Sequence, residues 1–215
     1  MSAVPGRLLT DPEWVAARIG AMSRSWGTPV PRVGGTLWWC MAASALVDQI
    51  AGAYAAGGPA PIAALDEIEC EVRPDGGVEY VRFRSATLVG EPGQTPPADL
   101  ASATAAVGTA LRETLSAVIL QVAAVSGAGV PALWAIVTDA VGNRALDAGA
   151  PAAGSRLAAD VGARLLAPRF VTVGERTFVK RVSCCLVYEV PGCQMCTSCP
   201  KRPAAERATL LAQLR

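Results

Sequence analysis

The 215-residue chain contains no histidine, and that absence removes a large part of enzyme chemistry. Without an imidazole there is no Ser-His-Asp triad, Cys-His dyad, His-ligated haem, Rieske centre or Cys₂His₂ zinc finger. Charge is also sparse. Charged residues make up 17% against 52% hydrophobic, which excludes a disordered or nucleic-acid-coating chain, and a formal net charge of +1 names no partner. Only two of the 19 basic residues are lysines, and no basic recognition helix is visible, which argues against DNA binding. The first residues lack an apolar core and carry Asp11 and Glu13 early, so no signal peptide is read there and a cytoplasmic protein is expected. No Walker A sequence exists. Gly127-Ala128-Gly129-Val130-Pro131-Ala132 matches G-x-G-x-x-A formally, but a helix rather than a strand precedes it, so it reads as a helix–helix turn and not a dinucleotide site. The same turn interrupts the uncharged run from Thr114 to Thr138, predicting two buried helices rather than a transmembrane segment.

What remains predicts an α+β protein: a mainly helical N-terminal region, residues 1–168, with one β-hairpin, then a small cysteine-rich C-terminal segment, residues 169–215. Trp14, Val15, Ile19 and Met22 share a face of a helix starting at Pro12. A second helix, Leu37 to Tyr54, is apolar all round and should be central to the core, stopping at Gly57-Gly58-Pro59. The period then falls to two: Ile68, Cys70 and Val72 alternate with Glu67, Glu69 and Glu71, and Pro74-Asp75-Gly76-Gly77 turns the chain into Val78 to Phe83. After a Pro/Gly loop at 91–98 come helices over Leu100–Val125 and Pro131–Val141, and Asp160 to Leu166 closes the helical part. Beyond Pro168 the charge changes sign, from a net −4 over residues 1–168 to +5 over 169–215. Phe170 to Val182 reads as one strand or a hairpin about Gly174, and Pro203 to Leu214 as a small docking helix.

Most candidate site residues have ordinary explanations. The acidic row Glu67, Glu69 and Glu71 is the wet face of a strand. Trp38 and Trp39 belong to the core helix, and Cys40 and Cys70 are small buried residues. The cysteines of the C-terminal segment are different, since five of the seven fall within residues 184–199. Cys184-Cys185, Cys196 and Cys199 form C-C-x₁₀-C-x₂-C, four thiolates that suffice for one [2Fe–2S] cluster. Adjacent side chains in a regular strand point to opposite faces, so the strand must break at Cys184-Cys185 for both to serve one centre. Pro191-Gly192 suits the turn that brings the chain back. Cys193 keeps two further ligand sets open. Cys193, Cys196 and Cys199 followed by Pro200 have ferredoxin-like [4Fe–4S] spacing, with Cys184 or Cys185 as a remote fourth ligand, and a Cys₄ zinc knuckle is the structural alternative.

The stretch from Lys180 to Pro200 resembles the FhuF-like ferric siderophore reductases, in the basic pair Lys180-Arg181, the vicinal cysteines, Tyr188, Pro191-Gly192 and the Cys199-Pro200 ending. It departs from them at Cys193, where glycine is more usual in the turn. The resemblance implies that Cys184, Cys185, Cys196 and Cys199 ligate a [2Fe–2S] cluster, and that the protein is an oxidoreductase of bacterial iron assimilation whose substrate is an imported ferric siderophore. It transfers no siderophore-contacting residue. Hard hydroxamate or catecholate oxygens hold Fe(III) far better than Fe(II), so one electron suffices for release and no acid or base is needed. With no nicotinamide or flavin site legible, a separate donor, a ferredoxin or a reductase, is expected to supply that electron. Lys180 and Arg181 would stabilise the reduced centre. A ferredoxin-like carrier or an iron- or redox-sensing protein is the alternative, though a carrier has little use for 168 further residues.

Overall fold

The computed structural model describes residues 2–88, 98–162 and 164–214. Around one long helix it gathers most of the apolar side chains of the N-terminal region. That helix, α2 (Pro31–Ala56), follows α1 (Pro12–Trp26), and both carry proline in their first turn, where a missing amide costs nothing. Asp11 caps α1, accepting from the amide of Trp14 at 2.7 Å. Between α2 and the later helices lie β2 (Pro59–Pro61), β3 (Ile68–Val72), β4 (Val78–Phe83) and β5 (Ala86–Leu88), preceded at the N-terminus by β1 (Ser2–Pro5). The chain then forms α3 (Ala98–Ser126), α4 (Val130–Asp147) and α5 (Pro151–Val161), the hairpin β6 (Phe170–Val173) and β7 (Arg176–Val179), and a terminal α6 (Ala204–Ala212). The fold is mixed α+β and mostly helical, with small antiparallel sheets in the order β1-β3-β4, β2-β5 and β6-β7.

Helix α2 packs against α1, α3, α4, α5 and β4, which explains why it is apolar on every side. Trp38 and Trp39 are fully buried in it and still satisfy their indole N–H groups, on the carbonyls of Gly76 and Leu133, each at 2.9 Å. In β3, Ile68, Cys70 and Val72 point inward. The outward acids pair with the next strand, Glu69 with Arg84 at 2.7 Å and Glu71 with Arg82, while Glu67 accepts from Ser85 at 3.4 Å. The row is a solvated face laced by cross-strand pairs.

The uncharged stretch is divided at Gly127–Gly129 into α3 and α4. By length and composition alone Ser102–Ser126 could cross a membrane; in the fold Val107, Leu111, Leu115, Val118, Ile119 and Val122 are buried in the common core. Some boundaries differ from those read in the sequence. The three-stranded sheet gains β1, whose four residues carry no alternation of their own, and α2 begins six residues before Leu37. The helical part closes with α5 at Pro151–Val161 rather than over 160–166, because Gly162, at φ 90°, ends the helix. Of the expected loop at 91–98, residues 91–97 lie outside the described residues and Ala98 already belongs to α3.

Candidate metal centre

The cysteine segment is set by its attachment to α4. Strand β7 ends at Val179, and the amide of Lys180 still bonds the carbonyl of Arg169 at 2.7 Å before the chain leaves the ladder. It leaves toward Asp139. This carboxylate, 4% exposed, accepts from the amides of Val182 and Ser183 at 2.9 Å each, from Ser183 Oγ at 2.5 Å and from Arg181 Nε at 3.3 Å. A buried carboxylate is tolerable only when so compensated. One turn further along α4, a Cβ on Gly142 would stand 2.9 Å from Pro168 Cβ and 3.2 Å from Val179 Cγ2, so glycine there permits β7 to lie against the helix.

Directly after the two vicinal cysteines stands Leu186, whose φ of 62° is the only positive value at a non-glycine among the described residues. Its amide serves the sulfur of Cys184, and that of Val187 the sulfur of Cys185. A single 3₁₀ turn, Val187–Glu189, leads into Pro191-Gly192, closed by a bond from the Cys193 amide to the Val190 carbonyl at 3.0 Å with Gly192 at φ 79°. A second tight turn bonds the Cys199 amide to the Cys196 carbonyl at 3.1 Å. The thiols thereby meet in pairs. Cys184 Sγ lies 4.0 Å from Cys199 Sγ, and Cys185 is hydrogen-bonded to Cys196. Among the described residues no three Cys, Asp or Glu side chains converge on one ion position. Cys193 belongs to neither pair and packs, partly buried, against the hydrophobic core.

Arginines surround these pairs. Arg181 Nη1 donates to Cys196 Sγ at 3.5 Å. Burial opposes its charge but is outweighed by Asp139 and by the Cys185 thiolate, so its pKa rises and it stays a cation. Arg202 donates to the carbonyls of Cys196 at 3.1 Å and Met195 at 2.6 Å, and Arg207 to those of Cys199 at 3.3 Å and Arg202 at 3.1 Å, fixing the loop from its outer side. Arg32 of α2 pairs with Glu189 at 2.6 Å and ties the 3₁₀ turn to the body.

Within the pairs the proton is unevenly shared. The hydrogen bond from Cys196, helped by the Val187 amide and Arg181 against the effect of burial, holds the Cys185 thiol down to about 5. Cys196, as the donor in that bond and half-buried, is pushed well up. Burial, and then the neighbouring Cys199, raise Cys184 despite the Leu186 amide. Cys40, on the face of α2 toward this segment, is pushed up to about 12 by burial and next by Cys185, and the buried Cys70 to about 12 by burial alone.

Sequence reasoning did not find Asp139, Arg202, Arg207 or the nearness of Cys40. Asp139 had a signal: it is the first charge after the uncharged run of 114–138, set in the middle of an apolar helix.

Fold and site define a helical α+β protein with a thiol-paired C-terminal segment docked on its fourth helix. Residues 181–201 match the FhuF 2Fe-2S C-terminal domain, so the C-terminus carries an FhuF-like iron–sulfur domain, consistent with a redox function. No curated protein matches the chain.

Proposed function

We propose that this protein is a ferric siderophore reductase, in which Cys184, Cys185, Cys196 and Cys199 hold a [2Fe–2S] cluster. The pairwise grouping of the four thiols is the observation that carries the reading. A tetrahedral metal with metal–sulfur bonds of about 2.3 Å sets two thiolates roughly 3.8 Å apart, close to the 4.0 Å between Cys184 and Cys199. Two pairs suit two irons with two thiolates each, whereas a zinc knuckle needs all four on one ion, and no such convergence is present among the described residues. A cluster bound there would exchange electrons one at a time.

The chain's own residues suit that task. The amides of Leu186 and Val187 and the guanidinium of Arg181 are aimed at sulfur, and each favours an added negative charge. Asp139 and the arginines that hold the loop carbonyls fix the thiols before any ligand arrives. The electron leaves for Fe(III) of the substrate, giving Fe(II), and no bond within the chelator breaks. A separate one-electron donor protein restores it.

The experiment is anaerobic. The reconstituted protein should contain two irons and two sulfides per chain. After chemical reduction, mixing with a ferric siderophore and a ferrous trap should reoxidise it once and yield one trapped Fe(II) per cluster. A reduced protein inert to ferric trihydroxamates and tris-catecholates alike, yet oxidised quickly by another redox protein, would show an electron carrier instead.

A further inference from the structure

A groove of about 380 Å³ opens in the helical body. Its floor is Cys40, Met41, Ser44 and Ala45, one face of α2, with Val78 and Tyr80 of β4 as the facing wall. The rim is charged but balanced. Asp48 pairs with Arg144 at 3.4 Å, Arg144 with Asp147 at 3.0 Å, and Arg73 with Asp75 at 3.1 Å and Glu79 at 3.0 Å. Three properties separate this groove from an incidental surface dent. Its volume lies in the range of small-molecule sites. Tyr80 stands 41% exposed on its wall, a large aromatic that the core does not use. Arg144 reaches the rim from α4, its guanidinium held in place by Asp48 and Asp147.

Its position is equally specific. Cys40 lines the groove and packs against the same core as Leu186 and Val187, within electrostatic reach of Cys185. A cleft of about 370 Å³ lined by Trp134, Thr138 and Leu166 and one of about 270 Å³ lined by Phe170, Lys180, Arg207 and Leu211 also border the supports of the segment, but neither is lined by Cys40.

We propose that this groove is the electron-acceptor site, where the ferric chelate lies on Ser44 and Ala45 between Tyr80 and Arg144, with Cys40 between it and the thiols. The inference rests on the reductase reading and adds the residues that hold the substrate. Arg144 and Tyr80 offer donors to the chelator's outer oxygens, and the small side chains at 44 and 45 let the iron centre approach α2. One electron passes to Fe(III), no proton is required, and the donor protein named above replaces it.

Binding and electron transfer separate in the test. Gallium(III) trihydroxamate, a redox-inert copy of a ferric siderophore, is titrated into the full-length holoprotein and followed calorimetrically; the reduced protein is then mixed with the ferric form and, separately, with hexacyanoferrate(III). Ser44→Trp, which fills the floor, should weaken gallium-chelate binding and slow reoxidation by the ferric chelate at least tenfold, while reoxidation by hexacyanoferrate stays within twofold of wild type. Tyr80→Ala, on the exposed wall, should do the same to a smaller degree and covers the case in which the tryptophan variant does not fold. Wild-type binding and rates in a folded Ser44→Trp or in Tyr80→Ala would overturn the groove, as would absence of gallium-chelate binding to the wild-type protein. Binding that these substitutions abolish, without electron transfer to the ferric form, would support the groove and overturn the reductase reading.

Discussion

Replacing Asp139 by alanine should release the cysteine segment while leaving the helical body folded. The carboxylate satisfies two amides, one hydroxyl and a guanidinium, and their environments set the cost. Ser183 is 3% exposed, so water cannot replace the acceptor for its amide and hydroxyl, and each buried group left unpaired costs about 1–3 kcal/mol. Val182 is 41% exposed and its amide can turn to water at little cost. Breaking a buried ion pair costs about 3–5 kcal/mol, but the Arg181 side chain is 17% exposed and retains its contact with Cys196, so only part of that applies. Together these give about 4 kcal/mol, to be set against a total stability of about 5–15 kcal/mol for a domain. None of the α2 core contacts is touched, and the loss should therefore appear as local opening of residues 180–187. At 1.4 kcal/mol per factor of ten, protection of the amides at 182–187 against hydrogen exchange in the metal-free protein should fall about a thousandfold, or to full opening, while amides of α2 exchange as before. Asp139→Asn keeps a neutral acceptor for the amides and should cost about half as much. Exchange at 182–187 in Asp139→Ala within threefold of wild type would refute the assignment of Asp139 as the anchor.

Three further outcomes are expected. In the metal-free protein Cys185 should be alkylated first by iodoacetamide at neutral pH, with Cys40 and Cys70 inert; because its folded-state pKa is depressed, the stabilisation from its thiolate is complete above the ordinary thiol range and lost as pH falls through about 5. Loss of preferential labelling of Cys185 at pH 7 would contradict this. Arg181→Gln should lower the midpoint potential of the bound centre, since the guanidinium touches Cys196 Sγ at 3.5 Å. Lys180→Gln should leave it unchanged at 0.15 M salt because Lys180 is exposed, and equal shifts from both would refute the distinction. Cys193→Ser should retain the two-iron absorption spectrum and Cys196→Ser lose or alter it, with the reverse result pointing to a ferredoxin-like ligand set.

Much of this protein follows from local sequence. The apolar helix around Trp38 and Trp39, the glutamate-lined hairpin, the turn at Gly127–Gly129 and the hairpin about Gly174 all rest on periodicity and turn residues, which neighbouring positions supply. The paired spacing of Cys184-Cys185 with Cys196 and Cys199 likewise pointed to an iron–sulfur site, and the break in the strand before it follows from the alternation of side chains. The boundary of α5 and the pairing of β1 were not legible, since the helix ends on the positive-φ backbone of Gly162 and strand pairing is a long-range choice. Tertiary structure alone decided that Cys184 faces Cys199 while Cys185 faces Cys196, because the spacing leaves the pairing open and only the folded path of the chain selects it. It alone decided that of two adjacent cations Arg181 reaches sulfur and Lys180 faces water, and that Asp139, 42 residues before Arg181, anchors the site. A buried carboxylate acts over a few ångströms of space, and its partners are chosen by how α4 packs against β7, which no spacing within the chain encodes.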